Sequence, residues 1–306
     1  MQASTYALDP RLPRRRLTPY HRRMSEETIL VTGGSGHLGS AIMHALGGSA
    51  RAIAFDLKKP RGDVPFIAGS VLSLADLDGA MAGIDALVHV AAIPNPRDRP
   101  ADVVFETNVR GTWNAFHAAQ RAGVKKAVLI SSECATGLCY QKAEFPPDYL
   151  PIDEAYELRP AEVYGLSKQA AEAVAASFAR TGMDVTVLRP LFILFPHHYG
   201  EIAGRADLWN RDLWGWVEPD DVAAAVRLAL AKVSGFEIFF IGAPNTLAPE
   251  PTLDLVARRF GKTIEIRRPE LYREDPHAAL FDIAKARRLL GYAPSADWRR
   301  HLAVAG

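Results

Sequence analysis

Residues 162–172 read EVYGLSKQAAE. Tyr164 and Lys168 stand four apart in an alanine-rich stretch, so on a helix they share one face. Each ionises near pH ~10 when unperturbed. An ammonium beside a phenol favours the phenolate. A tyrosine placed that way exchanges a proton with a substrate hydroxyl near neutral pH. The same spacing is met by an exposed pair on any helix surface, so the neighbours must decide. Upstream, VLISSEC ends an apolar run at Ser132, where a hydroxyl could hold the substrate oxygen that Tyr164 serves. The plain alternative is a strand-end serine bonded to local backbone.

A second group lies near the start. VTGGSGHLG carries Gly33, Gly36 and Gly39 in G-x-x-G-x-x-G spacing, between an apolar run and a helical pattern. A tight turn, close approach to a pyrophosphate and helix–strand packing each need a residue without Cβ. The free N–H groups at the helix start would bind the phosphates. A glycine turn with no ligand is the alternative. The next apolar run closes on Asp56, 20 residues beyond Gly36. A carboxylate there accepts from ribose hydroxyls and repels a 2′-phosphate, which favours NAD over NADP. Lys58 and Lys59 soften that preference, and a solvated strand-end aspartate is the other reading.

Positioning these groups takes alternating elements. TILVTG, RAIAFD, VPFIAG, DALVHVAA, KAVLISS and DVTVLRP read as six strands. HLGSAIMHAL, LADLDGAMAG, ADVVFETNVRGTWNAFHAAQRAG and AEVYGLSKQAAEAVAASFARTG read as helices between them. Strands apolar throughout and separated by helices form a parallel sheet covered on both faces. The expected class is therefore α/β: a doubly wound parallel sheet, Rossmann-like. The rhythm breaks after Pro190. Residues 191–216 are aromatic and irregular; a helix over 219–232, the strand FEIFFIG and two further helical patterns follow. This predicts a small C-terminal substrate lobe with one strand and one helix returning to the main sheet. The expected division is 1–23 a disordered basic leader, 24–190 the dinucleotide-binding domain with Tyr164 and Lys168, and 191–306 the lobe.

Composition sets the outer limits. The chain has 306 residues, 48% of them hydrophobic, and a formal net charge of +1. It can bury a sizeable core, and its charge gives no reason to expect nucleic acid as a partner. Two cysteines, Cys134 and Cys139, are too few for a disulfide framework and read as reduced thiols of a cytoplasmic protein. No apolar run approaches the roughly 18–20 residues that span a bilayer, so no membrane is expected. The leader, with DPRLPRRRLTPYHRR, has no secretory h-region. A basic anchoring arm is the alternative to disorder there.

Taken together, TGGSGHLG, Asp56, VHVAA (88–92), NVRGTWN (108–114), ISS (130–132), YGLSK (164–168), LRP (188–190), WVEPDDVAAAV (216–226) and FDIAKARRLLGYAP (281–294) resemble the extended short-chain dehydrogenase/reductase superfamily, the NAD-dependent epimerase/dehydratase family. The resemblance covers about 27–297. It implies Tyr164 as general acid/base, Lys168 on the nicotinamide ribose and lowering the tyrosine pKa, and Ser132 orienting the substrate oxygen. It implies Gly33, Gly36, His37, Leu38 and Gly39 around the pyrophosphate and Asp56 on the adenosine ribose. Ser70 and Val71 would lie beside adenine, Ala91 and Ala92 would line the cleft, and Asn108 would brace the site. His89 has no chemistry in it and is expected to be a buried structural histidine. No metal is expected.

The departures from the family pattern bear on the substrate. Ser70 stands where many relatives carry Asp. Glu133 and Cys134 stand where sugar-nucleotide dehydratases carry an Asp-Glu pair, which argues against a 4,6-dehydratase. A thiol at Cys134 is similar to that of nucleotide-sugar 3,5-epimerases; a small buried cysteine is the plainer reading. LFILFPHHYG replaces the usual N-x-Y-G-P after the sixth strand, weakening the case for a nucleotide sugar. The lobe resembles that of uronate dehydrogenases; its candidate substrate contacts are His197, His198, Tyr199 and Arg205, with Trp209 and Arg211 beside them, and Ser132 and Glu133 at the end of the fifth strand complete the set. An Arg there would clamp a carboxylate. Trp214 and Trp216 read as packing, and Asp221 as a helix-start residue. Three functions stay open: a dehydrogenase on a small sugar-like molecule, which is favoured; an epimerase with tightly held NAD; and a non-catalytic NAD-binding sensor. By analogy a homodimer would form through helices 101–122 and 161–181.

Overall fold

The computed structural model describes residues 27–140, 145–202, 204–205, 212–261 and 264–302. The expected leader 1–23, Trp209 and Arg211 lie outside the described residues. The first half alternates strand and helix: β1 (Thr28–Thr32), α1 (His37–Leu46), β2 (Arg51–Asp56), β3 (Phe66–Ala68), α2 (Leu74–Ala80) and β4 (Ala86–His89). Then come α3 (Ala101–Phe105), α4 (Gly111–Arg121), β5 (Lys126–Ile130), the two-residue β6 (Tyr149–Leu150), α5 (Val163–Arg180) and β7 (Asp184–Pro190). The remainder holds α6 (Tyr199–Ile202), α7 (Pro219–Lys232), β8 (Phe236–Ile241), α8 (Thr252–Phe260), β9 (Glu265–Ile266), α9 (Pro269–Glu274), α10 (Ala284–Leu290) and α11 (Arg299–Leu302).

Seven strands form one sheet in the order β3-β2-β1-β4-β5-β7-β8, every pair parallel. The register aligns the carboxyl ends: Thr32 pairs with both Phe55 and His89, and Ile130 with Leu188. The chain runs outward from β1 to β3, then back across to β4. The crevice outside β1 and β4 is therefore where a doubly wound sheet takes its ligand. Strand residues alternate between two cores. Ile29, Val31, Val88 and Val128 pack under α1, α7 and α10. Leu30, Leu87, Ala127 and Leu129 pack under α2, α4 and α5. Both faces are covered, which is why the middles of the central strands are mostly apolar on both sides.

The segment after β7 adds to the sheet. β8 extends it beside β7, and α7 lies against α1. A third core, with Tyr149, Leu150, Trp214, Phe240 and Phe281, lies beneath the irregular segments. It draws in chain from before α5: β6 pairs with β9 in a second, two-stranded parallel sheet, and Ile152 bridges to Phe281. Trp216 donates from its indole to the Asn245 carbonyl at 3.0 Å, and Trp214 is also buried, so both pack the lobe. Asp221 accepts from Ser295 N at 3.0 Å and ties the start of α7 to the C-terminal segment.

One helix differs from its expected form. The 101–123 stretch is not a uniform α-helix: α3 and α4 are joined by a π turn over Glu106–Arg110. Thr112 Oγ1 donates back to the Asn108 carbonyl at 2.5 Å. The widened turn presents Asn108 toward the end of β4, a use of π turns common at functional sites.

Two buried polar networks lie inside these cores. Arg189 on β7 grips Glu172 on α5 bidentately, Nε to Oε1 at 2.8 Å and Nη2 to Oε2 at 2.7 Å; Ser131 donates to the same Oε1 at 2.6 Å. His89 sits between Thr32 Oγ1, 2.7 Å from Nδ1, and Thr112 Oγ1, 3.1 Å from Nε2. Burial, with the Lys168 charge adding, pushes its pKa down to about 3, so it is a neutral structural histidine.

Breaking the ion pair leaves an uncompensated buried charge. Glu172→Ala is expected to lose about 3–5 kcal/mol in urea denaturation, and Glu172→Met/Arg189→Met to recover most of it. The His89 pKa is depressed below its unfolded 6.5, so its share of stability is full above that pH and drains as pH falls toward 3. Between those limits wild type should lose about 1.4 kcal/mol per pH unit more than His89→Gln, read from parallel denaturation curves.

Candidate active site

The candidate groups are set by the start of α5. Glu162 caps the helix, its carboxylate accepting from Tyr164 N at 2.6 Å and Gly165 N at 2.5 Å. That puts Tyr164 in the first turn. A Cβ on Gly165 would lie 2.5 Å from the Cys134 carbonyl oxygen, so the helix backbone rests directly on the turn after β5. Ser132 opens that turn. Its Oγ accepts from Cys134 N at 3.2 Å and donates to Glu133 Oε2 at 3.1 Å. The Ser132 hydroxyl lies close enough to the Tyr164 phenol to favour its ionised form. Lys168, one turn on and buried, donates to the Ile130 carbonyl at 2.9 Å, its Nζ 5.7 Å from the centre of the Tyr164 ring.

The electrostatics differ from the expectation for an exposed pair. Burial pushes the Tyr164 phenol well above its usual range, and the charges of Cys134 and Glu133 add to the rise; the Ser132 hydroxyl only partly opposes them. Burial pushes Lys168 down to about 8, against the pull of Cys134 and Glu172. The ammonium is directed at a carbonyl at the strand end, and desolvation outweighs its help to the phenolate. Glu133, buried and facing the Asp212 charge, is held up at about 8. A hydrogen bond with Cys139 pulls the Cys134 thiol down, but burial, Glu133 and Asp212 outweigh it and hold it at about 11. That is a poor starting point for a thiol that must exchange protons.

The glycine loop stands at the next strand end. Gly33 has φ +70°, and a Cβ there would meet Ala91 N at 2.7 Å, so the loop presses onto the chain after β4. Ala91 and Ala92, both half-buried, lie on that segment. A Cβ on Gly39 would collide with the Gly33 carbonyl. No side chain caps α1 and its first turn holds no acid, which leaves the positive helix end at Gly36, His37 and Leu38 to an anion. Asp56 is held by Ser35 N at 3.1 Å and Lys58 N at 3.4 Å. The cradle and its carboxylate fit a dinucleotide. Ser70 N donates to Asp76 at 2.9 Å while its Oγ accepts from Leu72 N at 3.2 Å. The carbonyl of buried Val71 accepts from Asn114 at 3.0 Å. Asn108 links the two ends: its Oδ1 accepts from Ile93 N at 2.7 Å, and its Nδ2 donates to Ile93 O at 3.1 Å and to Ser167 Oγ at 2.9 Å.

The candidate substrate contacts are scattered. Glu133 alone lies against Ser132. His197 and His198 gather with Phe195 and His37, His37 being 5.8 Å from His197 between ring centres, so they stand over the glycine loop. Tyr199 packs with Leu194, Trp216 and Trp298 and hydrogen-bonds Glu218. Arg205 is exposed. Sequence reasoning passed over three residues. Glu172 shares the face of Tyr164 and Lys168 at i+8 and i+4, and a charge on that alanine-rich face was the available signal. Cys139 follows Cys134 by five. Asp212 had no local signal, since only the tertiary fold brings it near.

The sequence model of the "NAD dependent epimerase/dehydratase family" matches residues 29–242. A UDP-glucose 4-epimerase of Rhizobium leguminosarum bv. trifolii is 30% identical over 71% of this chain and 64% of its own length. An L-arabinose 1-dehydrogenase (NAD(P)(+)) of Haloferax volcanii is 29% identical over 66% of this chain and 82% of its own. A short-chain dehydrogenase/reductase superfamily protein of Agrobacterium tumefaciens, solved with bound NAD, shares the fold: TM-score 0.68 and 22% identity over 91% of this chain and 96% of that one. The chain belongs to the NAD-dependent epimerase/dehydratase family of extended short-chain dehydrogenases/reductases.

Proposed function

We propose that the protein is an NAD-dependent dehydrogenase that oxidises a hydroxyl of a small sugar-like substrate. The observation that carries this reading is the buried set of Ser132, Tyr164 and Lys168 at the carboxyl end of β5, next to the glycine cradle. NAD, when bound, would supply the hydride acceptor. Gly33, Gly36, His37, Leu38 and Gly39 would hold its pyrophosphate, Asp56 its adenosine ribose, and Ser70 and Val71 its adenine side. Asp56 at the end of β2 favours NAD over NADP, because a carboxylate repels a 2′-phosphate. Ala91 and Ala92 would line the cleft, and Asn108 would keep the β4 end and α5 at a fixed separation.

The chain's own residues then handle one proton and one oxygen. Ser132 donates to the substrate oxygen and fixes it against the phenol. Tyr164, once deprotonated, takes the hydroxyl proton as the carbonyl forms. Lys168 offsets the charge the phenolate carries, and Glu172 supports Lys168 in its charged form. A phenol held this high requires alkaline pH for the oxidative direction, so kcat/KM should climb with pH above neutrality. A small substrate suits the segment after β7, where Phe192 and Phe195 stand and asparagine is absent. In this reading 24–190 carries the cofactor and the reacting groups and 191–306 encloses the substrate. The L-arabinose dehydrogenase relative supports a free sugar.

Exposed Val103 and Phe105 on α3, Trp113 on α4 and Leu166 on α5 form an apolar surface on the helices that would pair about a two-fold axis, supporting a homodimer.

Incubation with NAD and a panel of free sugars, sugar acids and nucleotide sugars tests the reading. NADH should accumulate with a free sugar or sugar acid, and Tyr164→Phe should lower kcat at least about 100-fold. A new diastereomer without net NADH would show an epimerase instead. In size-exclusion chromatography Trp113→Glu should elute as monomer where the parent elutes as dimer; identical elution of the two would refute that interface.

A further inference from the structure

The proposed reaction leaves the thiols beside it without a task. One carboxylate oxygen of Glu133, Cys134 Sγ and Cys139 Sγ all lie within 4.8 Å of one another, and each sulfur is 3.9 Å from the same Glu133 Oε1. All three residues are buried. Around a tetrahedral zinc, with Zn–S near 2.3 Å and Zn–O near 2.0 Å, such donors stand roughly 3.5–3.8 Å apart. The site needs only sub-ångström adjustment to reach that.

The local backbone is already shaped for it. Cys134 and Cys139 are spaced C-x4-C, within the usual range for paired zinc thiolates. The turn between them closes through Gly137, φ +82°, whose N–H donates to the Cys134 carbonyl at 3.0 Å. A Cβ on Gly137 would collide with the Arg159 carbonyl, so the turn is seated on its neighbour. Asp212, also buried, acts on all three groups with its charge. The nearby ammonium, Lys168, donates to the Ile130 carbonyl.

We propose that Glu133, Cys134 and Cys139 bind one thiophilic divalent cation, zinc by its donor set, with Asp212 as an outer carboxylate. Binding releases the two thiol protons and the Glu133 carboxyl proton to solvent and leaves two metal–thiolate bonds and one metal–carboxylate bond. Three protein ligands leave a fourth tetrahedral position for a water or a substrate oxygen, and Tyr164 belongs to the same buried cluster as the two cysteines. The sequence reading expects no metal; Glu133 joins the two thiols only once the turn is folded.

The test uses the full chain, purified in reductant, loaded with zinc and desalted. Elemental analysis should find close to one zinc per chain, and cobalt loading should give the thiolate-to-cobalt charge-transfer band with tetrahedral d–d absorption. Cys134→Ser/Cys139→Ser, checked for native circular dichroism, should retain none. Glu133→Gln should weaken zinc binding at least tenfold in a chelator competition, which keeps the assignment testable if the double variant does not fold. A reduced parent protein that emerges metal-free, or a Cys134→Ser/Cys139→Ser protein that holds as much zinc, overturns the proposal.

Discussion

The contact on which the candidate site depends is backbone against backbone. The first turn of α5 rests on the Cys134 carbonyl through Gly165, with no room for a side chain between them. Glu162 fixes where the helix begins, so Tyr164 reaches Ser132. The rest of that helix face is then determined by its pitch. Lys168 arrives one turn later at the end of β5, and Glu172 two turns later at Arg189. The candidate phenol, its cationic neighbour and the anchor of the helix are thus consecutive positions on one stripe.

The cofactor end follows the same logic of close approach. Gly33 lets the loop after β1 press on the segment after β4, and Gly39 lets α1 start against the loop. Asn108 spans from Ile93 to Ser167 and so couples that segment to α5. The π turn that carries it gives up ideal helix geometry for that reach. The Asn108 amide thus adds a buried tie between the segment after β4 and the Tyr164 helix, beside the pairing of β1, β4 and β5.

Much of this was legible in the residues. The apolar strands between helical patterns predict the parallel sheet, and glycine, serine, tyrosine and lysine fall at strand and helix ends where their motifs place them. What was not legible depends on long-range packing. The pairing of β6 with β9 joins residues far apart in the chain, and two-residue strands carry no periodicity. His197 and His198 look like substrate contacts by composition, yet their neighbour is His37 of the glycine loop. Asp212 reaches Glu133 only through the folded lobe. The direction of the Tyr164 shift is the sharpest case: the i, i+4 lysine suggests a lowered pKa, while burial and nearby acids, invisible in the spacing, raise it.

The central claim is that the glycine cradle at the ends of β1 and β4 accepts the dinucleotide beside Tyr164. Calorimetric titration with NAD measures it directly, comparing the parent chain with Gly39→Val, whose side chain would fill the cradle. The account predicts saturable, one-to-one binding by the parent and none by Gly39→Val. Absence of binding by the folded parent, or equal affinity in both proteins, would contradict it.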